Sequence, residues 1–84
     1  MWNEVYENGH QKLARKFELD GFKSALDFVM KIAEVAEAQK HHPDILIEYN
    51  VVTIKSWTHD TGAVSERDKK LTSALNEVAK DILS

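Results

Sequence analysis

With 84 residues, 11 basic against 14 acidic side chains and a net charge of −3, the chain has room for one thin core that buries about 60% of the surface the unfolded form exposes. The absence of cysteine excludes disulfide staples, thiolate catalysis and any Cys-containing zinc site. Basic residues scattered as Lys12, Arg15, Lys16, Lys23 and Lys31 argue against direct nucleic-acid binding, and no apolar run nears the ~20 residues of a membrane span. The start, Met1-Trp2-Asn3-Glu4-Val5, lacks the basic and apolar regions of a signal peptide, so a cytoplasmic protein without membrane contact is expected.

The first predicted elements are a β-hairpin. Leu13 to Leu19 alternates, with Leu13, Phe17 and Leu19 on one face and Lys12, Lys16 and Glu18 on the other. Trp2 to Glu7 is the expected partner strand, joined through Asn8-Gly9, a pair whose tolerance of positive φ favours a two-residue turn. His10 sits beside this turn and is expected to lie apart from any site. Asp20 is a candidate N-cap for a helix over residues 21–38. Its face carries Phe22, Ala25, Leu26, Val29, Ile32, Ala33 and Ala36, widened by Phe28 and Val35. Pro43 disfavours helical geometry at His42, which stops the helix shortly before His41.

A second hairpin follows. Ile45, Ile47 and Tyr49 alternate with Leu46 and Glu48, Asn50 marks the turn, and Val51-Val52-Thr53-Ile54 is strongly β-forming. Thr58 to Ala63 reads as a loop, and Ser65-Glu66-Arg67-Asp68 as a capping box opening an amphipathic helix through Leu71, Ala74, Leu75, Val78 and Ile82. The order β-β-α-β-β-α predicts an α+β, two-layer domain over residues 1–84, with a four-stranded antiparallel sheet and helices on one face.

Chemistry concentrates at the junction of the two halves. The doublet His41-His42 precedes Pro43, and His59 lies just past a strand that returns toward it. Imidazole titrates near pH 6.5, so a convergent group is a candidate acid-base site. A plainer explanation is that the doublet ends a helix, where the C-terminal dipole favours imidazolium by about 0.3–1 kcal/mol. Three imidazoles also match an open zinc site in number, but adjacent histidines on extended backbone point apart and no HExxH spacing is present; no metal is expected. Glu37, Asp60 and Asp68 are the nearby carboxylates, each with an ordinary alternative: helix surface, loop and helix cap. No nucleophile elbow and no Gly-rich phosphate loop is present.

These residues resemble the pterin-4α-carbinolamine dehydratase family. Its pattern of an acidic residue, His-His-Pro, an aromatic, a distant His and a terminal Asp is met by Glu37, His41-His42-Pro43, Tyr49, His59 and Asp68. Leu13 to Leu19, with Phe22, Ala25 and Phe28, and Ser65 to Leu71 are also similar, so the resemblance spans nearly the whole chain. There are two departures: many members carry a further helix before the segment matching Trp2, and Gly62-Ala63 stands where a Gly-Gly pair is common. The resemblance implies dehydration of 4a-hydroxytetrahydropterin to quinonoid dihydropterin, with no cofactor, in the recycling that follows an aromatic amino acid hydroxylase. By analogy His41 and His59 transfer protons, His42 holds the pterin, and Glu37, Asp60 and Asp68 support the site. It also implies a homotetramer or homodimer. The alternative roles it implies are dimerisation cofactor of a transcription factor and pterin binder with little catalysis.

Overall fold

The computed structural model describes residues 1–83. Its elements run β1 (Asn3–Glu7), β2 (His10–Glu18), α1 (Phe22–Gln39), β3 (Asp44–Glu48), β4 (Val51–Ser56) and α2 (Glu66–Leu83). The four strands form one antiparallel sheet in the order β1-β2-β4-β3, with both helices on one face. This is the expected architecture. Phe17 and Leu19 from the β2 side, Val52 and Ile54 from β4, Ala25, Phe28 and Ile32 from α1, and Leu71, Leu75 and Ala79 from α2 close the core between the layers. Phe17 meets the Phe28 ring edge-on at 4.9 Å between centroids, and Trp2 meets Phe17 at 6.0 Å in the same manner.

The turn Asn8-Gly9 forms as anticipated, with φ of 53° and 80° and Glu7 paired to His10. Because the turn takes only those two residues, β2 begins at His10 and not at Leu13, and the polar pair His10-Gln11 belongs to the ladder. Lys12, expected in solvent, is buried: its ammonium bonds Glu7 at 3.3 Å and lies 5.4 Å from the Trp57 ring centroid.

Three local expectations are corrected. Asp20 does not cap α1; Gly21 is the N-cap in extended geometry, and its carbonyl accepts from the Ala25 N–H at 3.0 Å. Tyr49 is not in β3 but takes the left-handed turn position at φ 54°, because Asn50 is engaged elsewhere. The Asn50 Nδ2 donates to the Leu19 carbonyl at 3.0 Å and its own carbonyl accepts from the Leu19 N–H at 2.8 Å, which pins the second hairpin to the end of β2. Finally, the α1 face divides. Ala25, Phe28, Ile32 and Ala36 are buried, whereas Phe22 and Leu26, anticipated on the same face, lie on the solvent side with Met30.

Candidate active site

The site begins where α1 stops. Lys40 adopts φ 53° and ψ 39°, its N–H bonds the Glu37 carbonyl at 3.2 Å, and the His41 N–H bonds the Ala36 carbonyl at 3.1 Å. This is a Schellman ending with lysine in the position glycine usually fills. The left-handed residue swings the chain across the helix end, so that His41 turns into the protein and His42 turns out.

His41 is 8% exposed, and its Nε2 lies 2.6 Å from the Asp68 carboxylate. Asp68 itself is fully buried at the start of α2. One of its oxygens accepts from His41 and the Ser56 hydroxyl, the other from the Thr58 hydroxyl at 2.6 Å and the Ser65 N–H at 2.9 Å. Four donors fill the four lone-pair sites of an ionised carboxylate. Burial works to raise its pKa, but the bonds from Ser56, Thr58, His41 and Ser65 outweigh it and hold the carboxyl below its ordinary range. An ionised Asp68 only accepts, so His41 carries its proton on Nε2 and its Nδ1 is left as the acceptor when the ring is neutral.

The same network explains the start of α2. Ser65 Oγ accepts from the Arg67 N–H at 3.3 Å while Asp68 reaches back to the Ser65 N–H, so the expected capping box exists. Asp68 thus caps the helix and orients His41 at once. Because the Thr58 hydroxyl donates to Asp68, it accepts from Ser65 Oγ in their mutual contact.

His42 and His59 approach from the solvent side. His42 Nε2 bonds the exposed Glu37 carboxylate at 2.8 Å, one turn back on α1. His59 follows β4 in a tight loop closed by the Thr58 N–H to the Ala63 carbonyl at 2.9 Å and the Gly62 N–H to the Thr58 carbonyl at 2.9 Å. Its ring lies against Trp57 at 4.2 Å between centroids. The three histidines share one cleft of about 290 Å³, lined by Lys40, His41, His42, Trp57, Thr58, His59, Asp60 and Arg67. That volume is near the lower end of the roughly 300–1,000 Å³ typical of ligand pockets. A larger groove of about 630 Å³ between Arg15 and α2 holds Asn76, Glu77 and Lys80 but no histidine, so the smaller cleft is the one in which the imidazoles gather. Among the described residues, no three His, Asp or Glu side chains converge as a metal-binding group.

The sequence profile of the family described as pterin 4 alpha carbinolamine dehydratase matches residues 1–78. The chain belongs to this family. It is 47% identical over 66 residues to a Koribacter versatilis protein provisionally named pterin-4-alpha-carbinolamine dehydratase, covering 79% of this chain and 70% of that protein. It is 37% identical over 84 residues to the mitochondrial pterin-4-alpha-carbinolamine dehydratase 2 of Arabidopsis thaliana, covering 98% of this chain but 45% of that one. The chain therefore spans less than half the length of the plant relative. Among solved structures, a transcriptional coactivator/pterin dehydratase from Brucella melitensis superposes with a TM-score of 0.84 at 32% identity, covering 93% of this chain and 81% of that one.

Measured against the pterin dehydratase pattern, the anticipated residues divide into three groups. His41, His42 and His59 line the cleft, and Glu37 and Asp68 each hold one of the histidines. Asp60 is at the cleft but pairs with Arg67 at 2.8 Å rather than with an imidazole. Tyr49 is not brought there: it is exposed at the far end of β3, about 17 Å of extended strand from Pro43. Sequence reasoning missed Ser56, Thr58 and Trp57. Ser56 and Thr58 carry the i, i+2 spacing of one strand face, which would have marked them as neighbours of whatever that face covers. His10 was expected to lie apart, yet its ring stacks on Trp57 at 4.3 Å, because a β2 that starts at His10 runs beside the end of β4.

Proposed function

We propose that this chain dehydrates a 4a-hydroxytetrahydropterin to the quinonoid dihydropterin, by histidine acid-base catalysis in the His41–His42–His59 cleft. The observation that carries the reading is the pairing of an inward imidazole, oriented by an ionised carboxylate, with an outward imidazole across a small cleft. Breaking the C4a–O bond needs a proton on the departing hydroxyl, and completing the new carbon–nitrogen double bond needs removal of a ring N–H proton. In this reading His41 takes the N–H proton on Nδ1, with Asp68 stabilising the imidazolium that forms, and His59 protonates the leaving hydroxyl. His42, held by Glu37, contacts the pterin. Trp57 lines the same cleft and backs the His59 ring. The substrate class follows from family membership and from this donor–acceptor set together.

The test generates the 4a-hydroxypterin with an aromatic amino acid hydroxylase and follows its dehydration spectroscopically with and without the protein, subtracting the uncatalysed rate. Acceleration that survives exhaustive chelation is expected. No acceleration sinks the enzymatic reading, and loss on chelation with recovery on adding zinc replaces the acid-base account with a metal one. A second reading, a protein-binding role, is favoured by the solvent-facing stripe Phe22, Leu26 and Met30 and by the coactivator description of the Brucella protein.

A further inference from the structure

His41 and His42 are each held by a carboxylate, but His59 is held by an aromatic ring. Trp57 is in turn fixed from β2. The His10 ring stacks on it at 4.3 Å with 28° between planes, and Lys12, buried and bonded to Glu7, places its ammonium 5.4 Å from the indole centroid. His10 also reaches the loop that carries His59, its Nδ1 donating to the Gly62 carbonyl at 3.4 Å, and the neighbouring Gln11 accepts from the Val64 N–H at 3.4 Å. The first two residues of β2 therefore grip both the ring beneath His59 and the backbone beyond it.

We infer that His10 is a positioning residue, setting the orientation of His59 through Trp57 and the Gly62 carbonyl although it does not itself line the cleft. The rate consequence rests on the reading of His59 as a proton-transfer group; the geometric consequence does not. A proton donor on an exposed loop loses efficiency when its ring is free to swing, since misplacement of about 1 Å at a reacting group costs up to a hundredfold. Removing His10 leaves Lys12 as the remaining β2 support of Trp57 and frees the Gly62 carbonyl, so the expected loss is smaller, about three- to tenfold.

The experiment compares wild type, His10→Ala, His10→Phe, His59→Ala and, as a control on the same hairpin, Tyr6→Ala, by dehydratase kinetics and by the ring proton resonances of His59. Tyr6 is exposed and outside the cleft, so its variant keeps wild-type behaviour. In His10→Ala the His59 resonances, shifted upfield by the indole, move toward free-imidazole positions and kcat falls three- to tenfold with KM changed less than twofold. His10→Phe restores the stack and most of kcat. Unmoved His59 resonances in a folded His10→Ala overturn the inference, and so does a wild-type kcat in that variant when His59→Ala is inactive. If His59→Ala is itself fully active, the assignment of His59 as proton donor fails, and the resonances alone then decide whether His10 positions it.

Discussion

Asp68 is the residue on which the buried hydrogen bonds of His41, Ser56, Thr58 and Ser65 converge. It is buried, it accepts four hydrogen bonds, and its pKa is held below the ordinary value, so the unfolded chain binds a proton more readily there than the folded one. Its contribution is therefore fully present above the unfolded carboxyl value of about 3.9 and is lost as pH falls through the lower folded value. Asp68→Asn, which puts an amide donor among four donors, is expected to cost about 3 kcal/mol and to flatten the acid limb of the stability profile. Urea melts between pH 3 and pH 7 measure both; an unchanged acid limb would show that another carboxylate governs acid unfolding. The histidines separate by a different measurement. His41→Ala and His59→Ala each lower kcat by about 10²- to 10⁴-fold if they transfer protons, while His42→Ala, on a side chain shared with exposed Glu37, raises KM more than it lowers kcat. Wild-type rates in folded His41 and His59 variants would remove the proposed site.

At the scale of elements, the ends matter more than the middles. Lys40 in a left-handed position carries a steric cost of about 1 kcal/mol that glycine would avoid, yet that geometry is what sends His41 inward and His42 outward. Lys40→Gly is thus expected to preserve the turn with unchanged or slightly higher thermal stability. Lys40→Val, β-branched at positive φ, lowers it by about 1–2 kcal/mol. A thermal melt of the pair checks the order, and a Val variant as stable as the Gly variant would show that the turn is not strained. The same contrast explains what could be read from sequence. Asn8-Gly9 announced its turn because both residues favour positive φ, and Pro43 announced the end of α1 by excluding the helical conformation before it. Ser65 and Asp68 announced the start of α2 through a capping pattern set by local spacing. Lys40 and Tyr49 announced nothing, since neither residue type favours the conformation it takes. The Asn50–Leu19 clasp and the His10–Trp57 stack join distant parts of the chain, so no local pattern encodes them. The histidine cleft was legible for the opposite reason: titratable residues gathered at two element ends, and an antiparallel return strand joins those ends.

For the whole molecule, the question is whether one copy is sufficient. Its accessible surface of 5310 Å² is close to the ~5,100 Å² expected of a 9.6 kDa monomer, so the area alone does not call for a partner. Two apolar features of that surface argue for one. Phe22, Leu26 and Met30 recur every four residues along α1 and are 52%, 37% and 65% exposed, a single apolar stripe on one helix face. Separately, edge strand β3 presents Leu46 at 54% exposure beside Ile45, on an unpaired backbone ladder that would otherwise invite aggregation. Burying half of three side chains on each of two subunits is worth about 5–9 kcal/mol, against an association cost of about 4–15 kcal/mol. The stripe alone therefore roughly breaks even, and stable assembly needs the β3 edge as well. Two distinct self-complementary surfaces generate a tetramer with three two-fold axes. Light scattering coupled to size exclusion at micromolar concentration is expected to report four times 9.6 kDa for the wild type. Leu26→Asp combined with Met30→Asp should leave a dimer joined through β3. A fully active monomer persisting across dilution would show that neither surface is an interface in solution.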